Sequence, residues 1–278
     1  MSNYIDGKVI VITGAGSGFG KIVAEKTAEL GAKVVGADIN EANLQAVVEG
    51  IRAKGQTAEY QVADVTSKEQ MDAVAALAVE KFGRIDVMLN NAGIMPLAYF
   101  ADHQAAWKSW DKSVDINIKG VVNGITAVYD QMIAQGEGQV VNISSIYGNY
   151  GIPGSGVYSA TKAAVKVISD SLRAETKGKI KVTTVKPTGI PGTNLASAIV
   201  NDEAVAGLTA HRTAEFAENA EKYYGDQMPA EQLDRNSVKY WTVTPEELAE
   251  NVVYAINQPW GVSISDITVR ASGEDYVY

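Results

Sequence analysis

Tyr158 and Lys162 stand four residues apart in the run Tyr158-Ser159-Ala160-Thr161-Lys162. On a helix that spacing puts both side chains on one face. A free tyrosine titrates near 10 and is a poor base at neutral pH, but a neighbouring ammonium favours its phenolate. Lowering the phenol by about 3 units takes roughly 4 kcal/mol, within reach of a desolvated lysine acting with a second positive group. Such a tyrosine can take a proton from an alcohol or return one to a carbonyl. Ser144-Ser145 precede it, and a serine hydroxyl beside the tyrosine can hydrogen-bond the same substrate oxygen. Tyr-x-x-x-Lys also arises by chance on amphipathic helices, so its weight depends on the rest of the chain.

A second group of residues has the types and order of a dinucleotide site. Thr13-Gly14-Ala15-Gly16-Ser17-Gly18-Phe19-Gly20 follows an apolar run and opens a helical pattern. Gly14, Gly18 and Gly20 allow a tight turn and a close backbone approach to a pyrophosphate, with Ser17 and Phe19 in the same turn. Glycines of this kind also make ordinary turns. Asp38 lies 18 residues beyond Gly20. A carboxylate there can accept both hydroxyls of an adenosine ribose and repels a 2′-phosphate, or it can cap the next helix, a task Asn40 could equally perform. No basic residue follows Asp38 or precedes Gly18, so the pattern predicts NAD and not NADP. Asp64-Val65 either meets the adenine or ends its strand. Asn90-Asn91-Ala92-Gly93 suits the floor of the same cleft.

The elements that must carry these residues alternate. Apolar, β-branched runs at 8–14, 33–39, 58–65, 85–93, 138–145 and 181–187 are separated by helical patterns. Helices are expected over 17–30, 41–54 and from a capping box at Thr66-Ser67-Lys68-Glu69 to Phe82. Continuous apolar strands with intervening helices predict an α/β chain with a doubly wound parallel sheet. After Pro187 the alternation stops. Residues 193–243 have no strand run and read as two helices, 195–210 and 212–224. Thr244-Pro245-Glu246-Glu247 then opens another helix, and 266–272 closes the sheet. We expect a single domain over 1–278 with 193–243 as an insertion.

Taken together and in order, these motifs resemble the classical short-chain dehydrogenase/reductase family and its Rossmann fold. The resemblance covers residues 5–193 and 244–272 and includes Asn117 within DINIKG, NISS (142–145), YSATK (158–162) and KPTGI (186–190). It implies an NAD-dependent enzyme that interconverts a secondary alcohol and a ketone. The family's catalytic serine lies thirteen residues before its tyrosine, which selects Ser145. Lys162 would also bind the nicotinamide ribose. The Asn117 main chain would hold a water linking Lys162 to solvent, and Pro187 and Ile190, with Thr193 nearby, would hold the nicotinamide carboxamide. Here Thr188 stands between Pro187 and Gly189, where the family usually has Pro-Gly. A homodimer or homotetramer is implied too. Other readings on the same fold are an epimerase or dehydratase, whose relatives carry an earlier glycine turn, and a silent NAD-sensing regulator, which would be expected to lose Ser145, Tyr158 or Lys162.

Net charge of −9 makes nucleic acid and anionic membranes poor partners, and no run of 18 apolar residues occurs. The first residues lack a basic segment before the apolar run, so a cytoplasmic location is the default. There is no cysteine, and His103 and His211 lack ligand spacing, so no metal is expected. Trp107 and Trp110 read as packing or subunit contact. Substrate contacts are expected from Met95, Ser145, Tyr147, Tyr150, Ile190 and Leu195. In one reading 193–243 forms a helical lid, lined by Leu195, Ile199, Leu208, Phe216, Tyr223 and Tyr224, over a bulky, partly apolar or aromatic substrate. In the other, these residues only pack the insertion to the body or to another subunit.

Overall fold

The computed structural model describes residues 2–277. Seven strands form one parallel sheet: β1 (Val9–Thr13), β2 (Lys33–Asp38), β3 (Thr57–Val62), β4 (Val87–Asn90), β5 (Gly138–Ile143), β6 (Ile180–Pro187) and β7 (Asp266–Val269). Their order across the sheet is β3-β2-β1-β4-β5-β6-β7, so the strand order switches from one side of β1 to the other between β1 and β4, which run parallel. In such sheets ligands bind outside the carboxyl ends of the strands at that crevice.

Helices cover both faces. On one side lie α1 (Gly18–Glu29), α2 (Glu41–Ala53) and α10 (Pro245–Ile256); on the other lie α3 (Lys68–Phe82), α5 (Gly120–Gln135) and α6 (Gly156–Glu175). The period of two along β1 divides its side chains between the two cores. Ile10 and Ile12 pack with Val23, Leu44 and Val252, while Val9 and Val11 pack with Met71, Ile125 and Val165. Burial on both faces explains why these strands read as unbroken apolar runs.

Local signals act largely as expected. Gly83 ends α3 at φ +77°, a left-handed cap that glycine adopts without steric cost. Thr244 and Glu247 form a reciprocal capping box at α10 with Pro245 at its first position. The start of α3 differs: its cap is Ser67, which accepts from the Gln70 amide, because Thr66 is taken up by Asp64. Strand β3 is also shorter than expected, ending at Val62.

Residues 195–210 are not one helix. They break into 3-10 turns at Asn194–Ala198 and Asp202–Val205 and a short α7 (Ala206–Thr209). The amides of Val200 and Asn201 bond the Leu97 carbonyl, and the Asn201 side chain caps a new turn at Glu203. Tertiary backbone bonds thus replace helical ones. Beyond them come α8 (Thr213–Tyr224) and a short α9 (Ala230–Leu233). The remaining helix, α4 (His103–Val114), runs into α5 through a π-helical turn, Asp115–Lys119.

Candidate active site

A cleft of about 580 Å³ opens at the carboxyl end of the sheet. Gly14, Ser17, Gly18 and Phe19 line one wall, Asp38, Asp64 and Val65 lie at one end, and Asn91, Ala92 and Gly93 form the floor. Ser145, Tyr158 and Lys162 lie at the other end with Pro187, Ile190, Thr193 and Leu195. Residues far apart in sequence therefore share one groove.

The glycine turn has the form of a cradle. Gly14 and Gly18 have φ of +66° and +49°, values that L side chains rarely adopt. Gly20 does not line the cleft; a Cβ there would lie 2.2 Å from the Gly14 carbonyl oxygen, so glycine lets α1 press against the turn. Helix α1 begins at Ser17 with no side-chain cap and no acid in its first turn. Its free amides and positive dipole end face the groove, as an anionic phosphate requires. Asp38 accepts from the Gly16 amide at 2.9 Å and from the Asn40 amide at 2.9 Å. The cap of α2 is Asn40, which accepts from Asn43, so Asp38 is not used for capping. Asp64 both ends its strand region, through Thr66, and lines the cleft. The donors, the cradle and the carboxylate fit a nicotinamide–adenine dinucleotide.

Asn91 fixes the floor. Its Nδ2 donates to the Thr13 carbonyl at 2.9 Å, and Thr13 Oγ1 accepts from the amides of Asn91 and Ala92 at 3.0 and 3.2 Å. The strand ends that flank the crevice are thereby bolted together.

At the other end, the two adjacent serines have different tasks. Ser144 Oγ donates to the Lys162 carbonyl at 2.7 Å and anchors α6. Ser145 Oγ accepts from the Tyr147 amide at 3.2 Å and shares a hydrogen bond with Tyr158. Lys162 Nζ donates to the Ile143 carbonyl at 3.0 Å and lies 5.9 Å from the Tyr158 ring centroid. Burial dominates the titration of both groups. It pushes the Tyr158 phenol up to about 12, with Ser145 opposing, and the Lys162 ammonium down to about 8. The expected lowering of the tyrosine is therefore not built into the protein alone.

Asn117 is fully buried in the π-helical turn. Its side chain accepts from the Ile94 amide at 3.0 Å and donates to the Ile94 carbonyl at 2.9 Å and to Thr161 at 3.0 Å. A π turn widens the helix and disturbs its regular carbonyl bonding. Asn117 thus ties the floor loop to α6, and its Oδ1, like Lys162 Nζ, lies beside Gly93.

Three expected substrate contacts do not line the cleft, although two of them, Met95 and Tyr147, pack in the same cluster as Tyr158. Tyr147 is buried and donates to the Leu208 carbonyl at 3.0 Å. Met95 packs in the cluster of Leu97, Ile146, Tyr147, Ile152, Tyr158 and Leu208, and Tyr150 is exposed. Phe216 and Tyr223 stack on Trp241, while Tyr224 faces solvent. None of these six lines the cleft; in the insertion, Phe216 and Tyr223 pack on Trp241 instead. Trp110 packs on Phe100 while Trp107 is exposed. The cleft also includes Lys108, Asp111, Lys112, Asp115, Ile116 and Thr188. Asp115 and Ile116 immediately precede Asn117, which could have drawn attention to them; the lysines carry no local signal. Among the described residues no group of three His, Cys, Asp or Glu side chains could hold a metal ion, and no helix is long and apolar enough to cross a membrane.

A profile of the short chain dehydrogenase family matches residues 8–204. An uncharacterized oxidoreductase of Listeria monocytogenes is 35% identical over 275 residues, covering 98% of this chain and 99% of its own. Glycine betaine reductase ATRR of Emericella nidulans is 34% identical over 272 residues, 97% of this chain but 19% of that longer protein. A short-chain dehydrogenase/reductase of Burkholderia phymatum in complex with NAD has a TM-score of 0.75 at 28% identity, covering 96% of this chain and 90% of its own. A gluconate 5-dehydrogenase of Burkholderia cenocepacia in complex with NADP and tartrate has a TM-score of 0.76 at 26% identity, with coverage of 96% and 95%. The fold, the motifs and these matches agree: the chain belongs to the short-chain dehydrogenase/reductase family of oxidoreductases.

Proposed function

We propose that this oxidoreductase is NAD-dependent and interconverts a secondary alcohol and a ketone. The observation that carries the reading is the single cleft with Asp38 at one end and Ser145, Tyr158 and Lys162 at the other. Asp38 accepts the adenosine ribose hydroxyls, and its charge disfavours a 2′-phosphate. The amides of Gly14, Ser17, Gly18 and Phe19 face the pyrophosphate; Gly20 holds α1 close behind them. Asp64 and Val65 bound the adenine, and Asn91, Ala92 and Gly93 the floor. Pro187, Ile190 and Thr193 hold the carboxamide. A bound nicotinamide cofactor would supply the hydride chemistry. Tyr158 takes the proton of the alcohol, or returns it to the carbonyl, while the Ser145 hydroxyl orients the same oxygen. Lys162 binds the nicotinamide ribose, and its ammonium favours the Tyr158 phenolate. Burial opposes that ionisation in the protein alone, and a bound oxidised nicotinamide would add a second positive charge in its favour. The Asn117 main chain, in its widened turn, carries the water that relays the proton outward.

The chain works as one domain, with 193–243 as a cover over the nicotinamide end. Thr193 and Leu195 line the cleft, in support of this. Ile190 and Leu195 give the nicotinamide end an apolar side, which supports a partly apolar substrate. A homodimer or homotetramer in the cytoplasm completes the reading. A spectrophotometric screen for NADH formation across a panel of secondary alcohols tests it. Formation of NADH is expected with at least one member, and formation of NADPH alone would overturn the cofactor assignment.

A further inference from the structure

The last residues of the chain do more than follow β7. The Gly273 amide donates to the Tyr240 carbonyl at 2.8 Å, and a Cβ at Gly273 would lie 2.6 Å from the Lys239 carbonyl oxygen, so the tail crosses 239–241 in close contact. Glu274 is buried. Its Oε2 accepts from Thr188 Oγ1 at 2.6 Å, and its Oε1 accepts from Arg270 at 2.7 Å. Asp275 is buried too and accepts from Trp241 Nε1 at 2.6 Å and Asn219 Nδ2 at 2.9 Å. The Val277 amide donates to the Leu208 carbonyl at 3.2 Å. Two carboxylates have thus been taken out of water, each with its own donors, which is costly unless they hold something in place.

Two contacts of the tail fall on consecutive residues after β6, Thr188 and Gly189, which lie between the cleft residues Pro187 and Ile190. Thr188 lines the cleft and donates to Glu274. Gly189 is in close contact with the hydroxyl end of Tyr276: a Cβ there would stand 2.0 Å from the Tyr276 hydroxyl oxygen and 2.1 Å from Cζ. Tyr276 is held in turn between Tyr147 and Phe216. The tail therefore touches the loop that precedes Ile190 and, through Asp275, the insertion that covers it.

We infer that Gly273–Val277 is a positioning clasp for the nicotinamide half of the cleft, setting the 187–190 loop through Glu274 on Thr188 and Tyr276 on Gly189. The inference rests on the dinucleotide reading above. Its residues are positioning residues that act through the loop. They lie at the opposite end from Asp38, so they should govern NADH and leave ADP-ribose, which lacks the nicotinamide, alone.

The test is calorimetric titration of the full chain with NADH and with ADP-ribose. Gly189→Ala should weaken NADH about tenfold or more while ADP-ribose changes less than about twofold; Tyr276→Ala combined with it should recover about fivefold, the size of a contact coupling. Glu274→Ala should show the same selective loss, and Glu274→Gln, which keeps an acceptor for Thr188, should restore part of it. If Gly189→Ala does not fold, Thr188→Val carries the same comparison. Equal losses for both ligands, unchanged NADH binding, or no recovery in the double variant would overturn the clasp. If the wild type binds NADH and the variants give one of these results, the clasp alone is refuted; a wild type that binds neither ligand refutes the dinucleotide reading with it.

Discussion

Lys162 points its ammonium at the Ile143 carbonyl, 3.0 Å away, and stands 5.9 Å from the ring centroid of Tyr158, with both side chains buried. The arrangement withholds water from a base and an acid that would each be more comfortable exposed. Burial is the first cause of both displacements, the phenol upward to about 12 and the ammonium downward to about 8.

The first prediction concerns ionisation. Tyr158 should stay protonated in the ligand-free protein through the alkaline range where ordinary tyrosines titrate. With NAD bound, the rate of alcohol oxidation should rise with pH and level off well below 10, as the phenolate becomes available. The difference in phenolate absorbance between wild type and Tyr158→Phe, with and without NAD, measures this. A difference signal that does not move on cofactor binding would contradict it.

The second concerns Lys162 and stability. In the unfolded chain the lysine keeps its proton to 10.5, in the fold only to about 8. The cost of burying its charge is therefore complete below pH 8 and shrinks as pH rises towards 10.5. Lys162→Met should stabilise the ligand-free protein by up to about 3 kcal/mol at neutral pH, with a smaller gain at pH 10, while abolishing activity. Urea unfolding at the two pH values checks it; a variant less stable than wild type at neutral pH would refute it.

The third concerns the cofactor. Asp38→Ala should narrow the preference for NAD over NADP in catalytic efficiency, because the ribose loses its acceptor and the repulsion of a 2′-phosphate goes with it. Wild-type protein more efficient with NADPH than NADH would count against the role given to Asp38.

The fourth concerns the cradle. Gly20→Ala drives a methyl against the Gly14 carbonyl oxygen, which is backbone and cannot swing aside. It should cost about 1–3 kcal/mol and weaken NADH binding sharply. Thermal unfolding and fluorescence titration measure both; normal binding would show that the turn is not the cradle.

The fifth concerns assembly. Phe100, beside α4, and Trp107, on it, are 72% and 67% exposed, and Val167 on α6 is 65% exposed. The α4–α5 and α6 surfaces should pair copies of the chain. Light scattering at micromolar concentration should give a dimer or tetramer mass, and a monomer would refute this.

How far the residues spoke for themselves depended on whether neighbours in sequence or distant contacts decided the outcome. The strands were legible because both faces of each are covered, and Gly83, Asn40 and the Thr244 cap act within a few residues. The cleft order from Gly14 through Asp38 to Tyr158 followed from motifs whose place on strand ends fixes where they meet. The insertion was not legible. Its helical periodicity over 195–210 lost to backbone bonds from Val200 and Asn201 to Leu97. Met95, Tyr147 and Tyr150 were expected at the substrate because they sit on loops at the right end of the sheet; none of them lines the cleft, and Met95 and Tyr147 pack beside Tyr158. Glu274, Asp275 and Tyr276 gave no local signal for this role, since each reaches the cleft loop or the insertion through a partner more than 30 residues away.

The central claim is that Tyr158 moves the proton in a nicotinamide-dependent hydride transfer. The most direct measurement compares wild type and Tyr158→Phe for turnover of one active secondary alcohol and for NAD affinity in the same preparations. NAD affinity should stay within about twofold while turnover falls by at least about 100-fold, the scale of losing a general acid–base. Near-normal turnover by Tyr158→Phe would contradict the account.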